Sequence, residues 1–327
     1  MDEAFRSHPR AVTGGNRLLM FSVIRKWGEF VKFSHSVFAL PFALASMVVA
    51  ARDQRGWPGW RTFTLIVVAT ICARTCAMSF NRIVDRDFDK ENPRTADRHL
   101  PAGRLSLASA WSLCGLSGFG LVVTGYHLNP VCFYLSPVAL FLVCFYSLTK
   151  RFTDFTHVFL GLALALAPIG GWLAVQGGLD FFPTENGRLA LQKSGFLALI
   201  LAAAVVFWLI GFDIIYALQD HEFDRARGLH SLVVRWGPEN ALSAAFLSHM
   251  TMWGLLAVFG LLSNFRVAYL AGLIIILISL LLEHWLARRR DSRWINAAFF
   301  RLNALISMVF LAVTTAEIVF ESGFKWR

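Results

Sequence analysis

Long runs with almost no Asp, Glu, Lys or Arg dominate the sequence. They cover residues 33–51, 62–80, 105–149, 155–179, 194–212, 240–265, 267–282 and 302–320. A helix of about 20 mostly apolar residues crosses a bilayer, and the polar residues around Asn129-Pro130 divide the longest run into a helical hairpin. Because the runs are continuous rather than alternating, they favour helices over barrel strands. The sequence therefore predicts an all-α polytopic membrane protein with nine transmembrane helices.

The composition excludes the common soluble classes. Hydrophobic residues make up 56% of the 327-residue chain and charged residues 16%, whereas soluble domains carry about 25% charged residues. A net charge of +10 would suit nucleic acid if the basic residues covered a solvated surface, but here they lie between apolar runs. We therefore expect a lipid bilayer around the chain and no nucleic-acid partner.

The basic residues also predict an orientation. If the first helix starts in the cytoplasm, most of the 31 lysines and arginines fall on the cytoplasmic side, as the positive-inside rule requires. This predicts a multi-pass protein of the inner (cytoplasmic) membrane. Residues 1–30 would be a cytoplasmic N-terminal segment, and residues 31–327 would form the membrane domain.

Two loops on the cytoplasmic side are unusually acidic, and their polar residues recur every three or four positions. The first loop has Asn81, Asp85 and Asp89, and the second has Asp213, Tyr216, Asp220 and Asp224. Side chains four residues apart lie on one face of a helix. Each loop is therefore predicted to present a row of acids on a helix that continues out of a span, the second span for one row and the sixth for the other.

Two facing rows of carboxylates would repel each other strongly in a cavity of low dielectric constant. Bound cations offset that repulsion, and oxygen ligands without Cys or His favour Mg²⁺, which completes its shell with water and phosphate oxygens. One guanidinium group binds two phosphate oxygens at once. Five arginines stand near the first row, namely Arg82, Arg86, Arg94, Arg98 and Arg104. The pattern predicts a magnesium-dependent site for a diphosphate. A solvated face of weak ion pairs is the alternative, and a second row on the same side argues against it.

One further charge lies inside a predicted span. Arg74 precedes Asn81 by seven residues and Asp85 by eleven, so it lies on the same helical face as the first acidic row. A charged residue within a span faces a cavity or a partner. Two roles stay open for Arg74, an internal ion pair and a contact with substrate.

The two acidic loops resemble the two signature motifs of the UbiA intramembrane aromatic prenyltransferases. The first is similar to N-x-x-x-D-x-x-x-D followed by N-P-R-T and R-x-L-P-A-G, and the second to D-x-x-Y-x-x-x-D-x-x-x-D. His99 departs from the first motif, where Pro is common. The resemblance extends from about Lys32 to the C-terminus, and it implies a nine-helix bundle around a central cavity that opens sideways to lipid.

The resemblance also implies metal ligands. Five positions would hold two magnesium ions, namely Asn81, Asp85 and Asp89 for one ion and Asp220 and Asp224 for the other. Asp213 would lie deeper, near the acceptor, where it would take a proton or orient a phenol. Asp213 and the four aspartates among the metal ligands would thus all take part in catalysis.

The remaining positions that the resemblance implies would contact substrates. Arg94 and Arg98 would hold the diphosphate, with help from Lys150 or Arg151, and one of the latter two would meet the carboxylate of the acceptor. Two tyrosines would wall the cavity or lie in the interfacial aromatic belt, namely Tyr146 and Tyr216.

The resemblance implies transfer of a polyprenyl group from polyprenyl diphosphate to an aromatic hydroxy acid. Loss of diphosphate would leave an allylic cation, which the ring would attack through the carbon ortho to its hydroxyl. We expect 4-hydroxybenzoate as the acceptor, as in ubiquinone synthesis. An alternative is 1,4-dihydroxy-6-naphthoate, because the segments 32–42 and 216–231 also resemble a UbiA-like branch that serves menaquinone synthesis through futalosine.

A hypothesis of a different class is a secondary transporter for an organic anion. Several spans and a charge inside one of them are compatible with it. A transporter of that kind predicts charged or broken segments near the middle of the membrane, in repeated halves. The acids here lie at one membrane face instead, and no convincing internal repeat is visible.

Overall fold

The computed structural model describes residues 25–32, 36–288 and 298–320, and the fold in these ranges is helical. The main helices are α1 (Leu40–Ala50), α2 (Trp60–Val84), α3 (Arg86–Glu91), α4 (Leu107–Leu128), α5 (Pro130–Phe145), α6 (Thr156–Gln176), α7 (Phe196–Ala217), α8 (His221–Ala226), α9 (Leu232–Leu262), α10 (Val267–Ala287) and α11 (Asn303–Val319). Short 3₁₀ turns extend α5 over Tyr146–Arg151 and α7 over Leu218–Asp220, and a π-helical turn over Ala298–Leu302 precedes α11. A two-stranded hairpin of β1 (Thr184–Glu185) and β2 (Arg188–Leu189) lies between α6 and α7.

The fold class predicted from the sequence is confirmed. Among the described residues, eight helical segments are long and apolar enough to cross a membrane, and the first predicted span corresponds to the shorter apolar helix α1. With 11 residues, α1 rises only about 16 Å, roughly half the thickness of a bilayer core. Of the predicted N-terminal segment, residues 1–24 lie outside the described ranges, and residues 25–30 are helical.

The predicted hairpin within residues 105–149 forms as α4 and α5, and its sequence explains the break. Asn129 is extended, and its side-chain oxygen accepts a hydrogen bond of 2.9 Å from the backbone N–H of Cys132. Pro130 occupies the first position of α5, where no backbone N–H is needed. Asn129 therefore caps α5 just after α4 ends.

Helix α7 lies at the centre of the packing and is the most deeply buried of the spans. It packs against α6 on one side and α9 on the other, while α1 and α11 close over its middle. The fully buried rings of Phe42, Trp208 and Phe310 meet there at centroid separations of 5.0 and 5.1 Å. The Trp208 indole also donates to Asn303 at 2.7 Å, and Asn303 donates to Glu283 at 2.8 Å, so a polar chain ties α7, α10 and α11 together.

Small residues let two helix pairs approach closely. A Cβ atom placed on Gly171 of α6 would collide with the backbone oxygen of Ala43 on α1, and one on Gly161 would lie 2.9 Å from the backbone oxygen of Val206 on α7. Close backbone approach is how helices pack inside a membrane, where lipid removes the usual hydrophobic drive. These contacts hold α6 against both neighbours and so fix one wall of the cavity described next.

Candidate functional site

A cavity of about 480 Å³ lies between α2, α4, α5, α6 and α7. The residues that the sequence predicted for the site all line it: Arg74, Asn81, Asp85, Asp89, Arg94, Arg98, Tyr146, Lys150, Arg151, Asp213, Tyr216, Asp220 and Asp224. The two acidic loops are more than a hundred residues apart in sequence, yet they face the same space. The helix ends that carry them lie at the same end of the bundle.

The first acidic row lies on two helices rather than on the single continuous helix that we predicted. Helix α2 ends at Val84, Asp85 has φ −91° and ψ 3°, and α3 starts at Arg86. Backbone bonds of 3.0 Å from the Asp85 N–H to Asn81 O and of 2.8 Å from the Asp89 N–H to Asp85 O preserve the four-residue register across the break. The Asn81 amide also donates to the Asp85 carboxylate at 2.8 Å. Asn81, Asp85 and Asp89 therefore still face one cavity.

The second row changes helix type along its length. Asp213 and Tyr216 belong to α7, Asp220 ends the 3₁₀ turn that follows, and Asp224 lies on α8. A 3₁₀ turn needs three residues for a full rotation instead of 3.6, so it adjusts which way the last two acids point. Asp220 and Asp224 are buried, with 8% and 2% of their surface exposed.

Four acids of the two rows each have a basic partner from another segment. The pairs are Asp89 with Arg98 at 2.6 Å, Asp85 with Arg151 at 3.3 Å, Asp224 with Lys150 at 3.7 Å, and Asp220 with Arg94. Because these pairs lie in a partly buried cavity, leaving one partner unpaired would cost several kcal/mol. These four acid–base pairs can rearrange around a ligand that brings both a cation and an anion.

Arg94 joins the two acidic loops. Its Nε donates to Asp220 Oδ1 at 2.8 Å, a second nitrogen bonds the other carboxylate oxygen, and Nη1 donates to the Tyr216 hydroxyl at 2.8 Å. Burial by itself would lower the pKa of Arg94, but the bonds to Asp220 and Tyr216 outweigh it and raise that pKa. Asn92, which the sequence reasoning did not single out, donates to the same Asp220 oxygen at 3.1 Å.

The donor set fits a hard divalent cation that also binds phosphate. The acids offer only oxygen atoms, and Asp89 Oδ2 is buried without a hydrogen-bond partner, with the Arg82 guanidinium 4.0 Å away. In the described ranges, no three His, Cys, Asp or Glu side chains converge closely enough to hold a metal ion by themselves. Magnesium accepts such a partial set, because one or two carboxylates, waters and substrate phosphates complete its shell.

Burial raises the pKa of the Asp85 carboxyl, although Lys150 and Arg151 pull it down. A carboxyl group with a raised pKa is one whose charge is poorly compensated by its surroundings. A cation bound next to Asp85 would supply that compensation. The raised pKa of Asp85 and the oxygen-only donor set therefore both indicate a cation site.

Two further basic residues line the same end of the cavity. Arg82 is one of the five arginines that the sequence placed near the first acidic row, whereas the sequence did not point to Lys32. Burial, together with the nearby Arg82 and Arg98 guanidiniums, lowers the pKa of Lys32 from 10.5 to about 7. Such an excess of positive charge around one amine attracts a polyvalent anion. Lys32 precedes the first apolar run, where a lysine is also expected as an ordinary interfacial residue, so the sequence alone did not distinguish it.

His157 is another cavity residue to which the sequence did not point. It lies in the first turn of α6, is 1% exposed, and lines the cavity. Its Nδ1 lies 2.7 Å from Asp213 Oδ2, and its Nε2 is buried without a hydrogen-bond partner. A histidine inside an apolar run also fits an ordinary structural role, so the sequence gave no signal for it.

Arg74 also lines the cavity, about two helical turns deeper along α2 than Asn81. Its Nε is buried and lacks a hydrogen-bond partner, and the carboxylates in the described ranges form no ion pair with it. Of the two roles predicted for Arg74, the internal ion pair has no acid to support it. The guanidinium remains available to an anionic ligand.

The far part of the cavity is apolar. On α2 the lining extends from Asn81 back to Ile66, a rise of about 22 Å. Facing it are Leu121 and Leu128 of α4 and Leu135 of α5. A compartment with a charged end and a long apolar end suits a ligand with the same two halves.

Comparison with known proteins agrees with this geometry. Residues 39–305 match the UbiA prenyltransferase family. A 4-hydroxybenzoate octaprenyltransferase of Alcanivorax borkumensis is 32% identical over 242 residues, which cover 73% of this chain and 77% of that protein. The enzyme of the same name from Thiobacillus denitrificans is 32% identical over 249 residues, covering 75% and 78%.

Solved structures show the same fold. An apo UbiA homologue from Aeropyrum pernix has a TM-score of 0.73 and 28% identity, and the match covers 85% of this chain and 96% of that one. A UbiA homologue from Archaeoglobus fulgidus, solved with DMAPP and Mg²⁺, has a TM-score of 0.67 at 20% identity and 90% and 99% coverage. The second likeness is one of fold alone. Since the family match spans most of the sequence and the motifs meet in one cavity, this chain belongs to the UbiA prenyltransferase family.

Proposed function

We propose that this chain transfers a polyprenyl group from polyprenyl diphosphate to the ring of 4-hydroxybenzoate, a step of ubiquinone synthesis. One observation carries the proposal, namely that both acidic rows and their basic partners line the charged end of a cavity whose other end is apolar. The relatives named as 4-hydroxybenzoate octaprenyltransferases support the choice of acceptor. The acceptor 1,4-dihydroxy-6-naphthoate stays as the alternative, since it also carries an acid and a phenol.

The two acidic rows are proposed to hold two magnesium ions. Asn81, Asp85 and Asp89 would bind one, and Asp220 and Asp224 the other. When bound, magnesium would act as a Lewis acid that stabilises negative charge on the departing diphosphate. The unpartnered Asp89 oxygen and the raised pKa of Asp85 support this assignment.

The basic residues at this end are proposed to hold the diphosphate. Arg94 and Arg98, which pair with Asp220 and Asp89, would exchange those carboxylates for diphosphate oxygens. Guanidinium binds such oxygens through two parallel hydrogen bonds. Lys32 adds a third cation, and Lys150 or Arg151 a fourth.

The apolar end is proposed to hold the isoprenoid chain, with its free end directed to the surrounding lipid. Apolar walls around the reacting carbon keep water from an allylic cation, which would otherwise be hydrolysed. The aromatic rings of Tyr146 and Tyr216 also line the cavity. The electron-rich faces of such rings stabilise a nearby cation.

The acceptor is proposed to lie deeper than the diphosphate, next to Arg74 and Asp213. The unpartnered Arg74 guanidinium suits the carboxylate of the aromatic acid, because the diphosphate is already held by the other cations. Asp213, seven residues before Asp220, lies at a similar depth and would orient the phenol. Lys150 or Arg151 would be the alternative contact for the carboxylate.

The orientation in the membrane is also part of the proposal. We infer an inner-membrane protein with residues 1–30 in the cytoplasm and the charged end of the cavity facing the cytoplasm. The distribution of the 31 basic residues supports this. A cytoplasmic site would receive both water-soluble aromatic acids and diphosphates made inside the cell.

Membranes that contain the chain test the proposal when they receive geranyl diphosphate, Mg²⁺ and one of the two aromatic acids. We expect a ring-prenylated acid by mass spectrometry, formed faster from 4-hydroxybenzoate and abolished by a chelator. Faster reaction of 1,4-dihydroxy-6-naphthoate would identify that acid as the acceptor in place of 4-hydroxybenzoate. Accumulation of the acid in proteoliposomes without any new product would instead indicate transport.

A further inference from the structure

His157 and Asp213 form a buried pair beside the proposed acceptor position. The imidazole Nδ1 lies 2.7 Å from the Asp213 carboxylate, and α6 and α7 each supply one partner. The Asp213 side chain is 24% exposed and the His157 side chain 1%. The pair is held between two closely packed helices, so the ring has little freedom to turn.

The hydrogen bond defines which ring nitrogen carries the proton. An ionised carboxylate only accepts hydrogen bonds, so Nδ1 donates and the proton of a neutral imidazole resides there. Nε2 then carries a lone pair. That atom is buried without a partner, and a buried acceptor without a donor costs free energy that a ligand hydroxyl would recover.

Asp213, which holds His157, lies at about the same depth in the cavity as Arg74. Asp213 precedes Asp220 by seven residues on a largely helical path, and Arg74 precedes Asn81 by seven on α2, which is about 10 Å of helical rise in each case. Both residues therefore lie on the apolar side of the proposed magnesium ligands and line the same cavity. An aromatic hydroxy acid has its two polar groups at opposite ends, which suits a guanidinium on one wall and a hydroxyl acceptor on the other.

We propose that His157 Nε2 accepts the phenol proton of the aromatic acceptor while the ring attacks the allylic carbon, with Asp213 holding the imidazole in position. This inference rests on the proposed prenyl transfer. The bond between the allylic carbon and the diphosphate oxygen breaks, and a bond from that carbon to the ring carbon ortho to the hydroxyl forms. The ring is then a neutral dienone, and His157 is an imidazolium paired with Asp213.

The remaining proton movements restore the starting state of the protein. The ring carbon that formed the new bond loses its hydrogen as a proton to the released diphosphate, and the ring becomes aromatic again. The imidazolium returns its proton to the oxygen, which regenerates the phenol. A positioned base of this kind contributes about 100-fold or more to a rate.

The test uses His157→Gln in the full-length chain, because glutamine keeps a hydrogen-bond donor and acceptor but is not a base. His127→Gln at the opposite, exposed end of α4 is the matched control. Each protein receives geranyl diphosphate and Mg²⁺ with 4-hydroxybenzoate or with 3-fluoro-4-hydroxybenzoate. The fluorine makes the phenol more acidic and leaves the other ortho carbon free. Hydrolysis of geranyl diphosphate without acceptor reports ionisation alone.

We expect His157→Gln to lower kcat for transfer about 100-fold with 4-hydroxybenzoate, to recover at least tenfold relative to wild type with the fluorinated acid, and to keep wild-type hydrolysis. Unchanged kcat, or an equal loss with both acids, would overturn the role of His157. If His157→Gln does not hydrolyse geranyl diphosphate, His157→Asn replaces it under the same criteria. No transfer by the wild-type protein with any acid would instead overturn the proposed function, and this inference with it.

Discussion

Replacing Arg94 by lysine tests the proposed diphosphate site through the geometry of a single side chain. Arg94 makes three hydrogen bonds, two to the Asp220 carboxylate and one to the Tyr216 hydroxyl. Its planar fork suits a diphosphate in the same way. Lysine keeps the charge but presents a single ammonium, so it would retain about one of these contacts.

The structure gives the expected size of the effect. The Arg94 side chain is 29% exposed, so the lower end of the range for a hydrogen bond to a charged group applies, about 1.5 kcal/mol. Loss of two such bonds in the transition state amounts to about 3 kcal/mol, which corresponds to roughly a 100-fold fall in kcat/KM for the diphosphate.

The assay is steady-state transfer from geranyl diphosphate in detergent, at saturating 4-hydroxybenzoate and Mg²⁺. Arg61→Lys is the matched control, because Arg61 is exposed at the other end of the bundle and donates one bond of 2.8 Å to His127 O. We expect that control to stay near wild type. A fall in kcat/KM of less than threefold for Arg94→Lys, in protein that elutes as folded material, would refute the assignment of Arg94 to the diphosphate.

Three other predictions concern charge and packing. Because the pKa of Lys32 is about 7 in the folded chain and 10.5 unfolded, its contribution to stability rises with pH between those values. For the same reason, diphosphate binding at pH 8 should take up about one proton. This uptake would make the binding enthalpy depend on the buffer, and Lys32→Arg should abolish that dependence. Gly171→Ala should lower the thermal midpoint, because the new methyl group meets Ala43 O and overpacking costs about 1–3 kcal/mol; Gly170→Ala, with open space around it, should not. Glu283→Ala should lower the midpoint by removing an acceptor from the Asn303 amide, worth about 1–3 kcal/mol, whereas Glu283→Gln should stay close to wild type. Equal midpoints for the two glycine variants would contradict the packing argument, and equal midpoints for the two Glu283 variants would contradict the hydrogen-bond argument. A binding enthalpy independent of buffer would contradict the Lys32 argument.

The fold was predictable because lipid leaves few options for a backbone. Runs without charge imply helices, and Asn129-Pro130 marks where one run becomes two helices. Of the nine predicted spans, eight are long helices in the described residues, whereas α1 has only 11 residues. Apolar composition predicts that a segment is removed from water, but it does not predict how many of its residues are helical.

The acidic residues of the site were predictable because charges are rare in this sequence. Carboxylates at a helical spacing next to apolar runs are a clear sequence pattern, so Asp85 and Asp220 could be predicted as site residues. Lys32 and His157 were not, because a lysine before a span and a histidine within one also fit ordinary structural roles. Their place in the cavity depends on the packing of distant helices, which the local pattern does not contain.

The break at Asp85 shows a second limit of local patterns. The four-residue spacing predicted one continuous helix, whereas α2 ends at Val84 and α3 starts at Arg86. Backbone bonds across the break keep the acids in register. The spacing thus predicted the shared face correctly, although the helix that carries it is interrupted.

The need for both acidic rows is tested most directly by the amount of product that each row supports. Membranes with the wild-type chain, Asp85→Asn or Asp220→Asn would receive geranyl diphosphate, 4-hydroxybenzoate and Mg²⁺, and mass spectrometry would quantify the geranylated acid. We expect product from the wild type, none after chelation, and at least a 100-fold loss in either variant at equal membrane content. Full product from either variant would contradict a site that needs both rows.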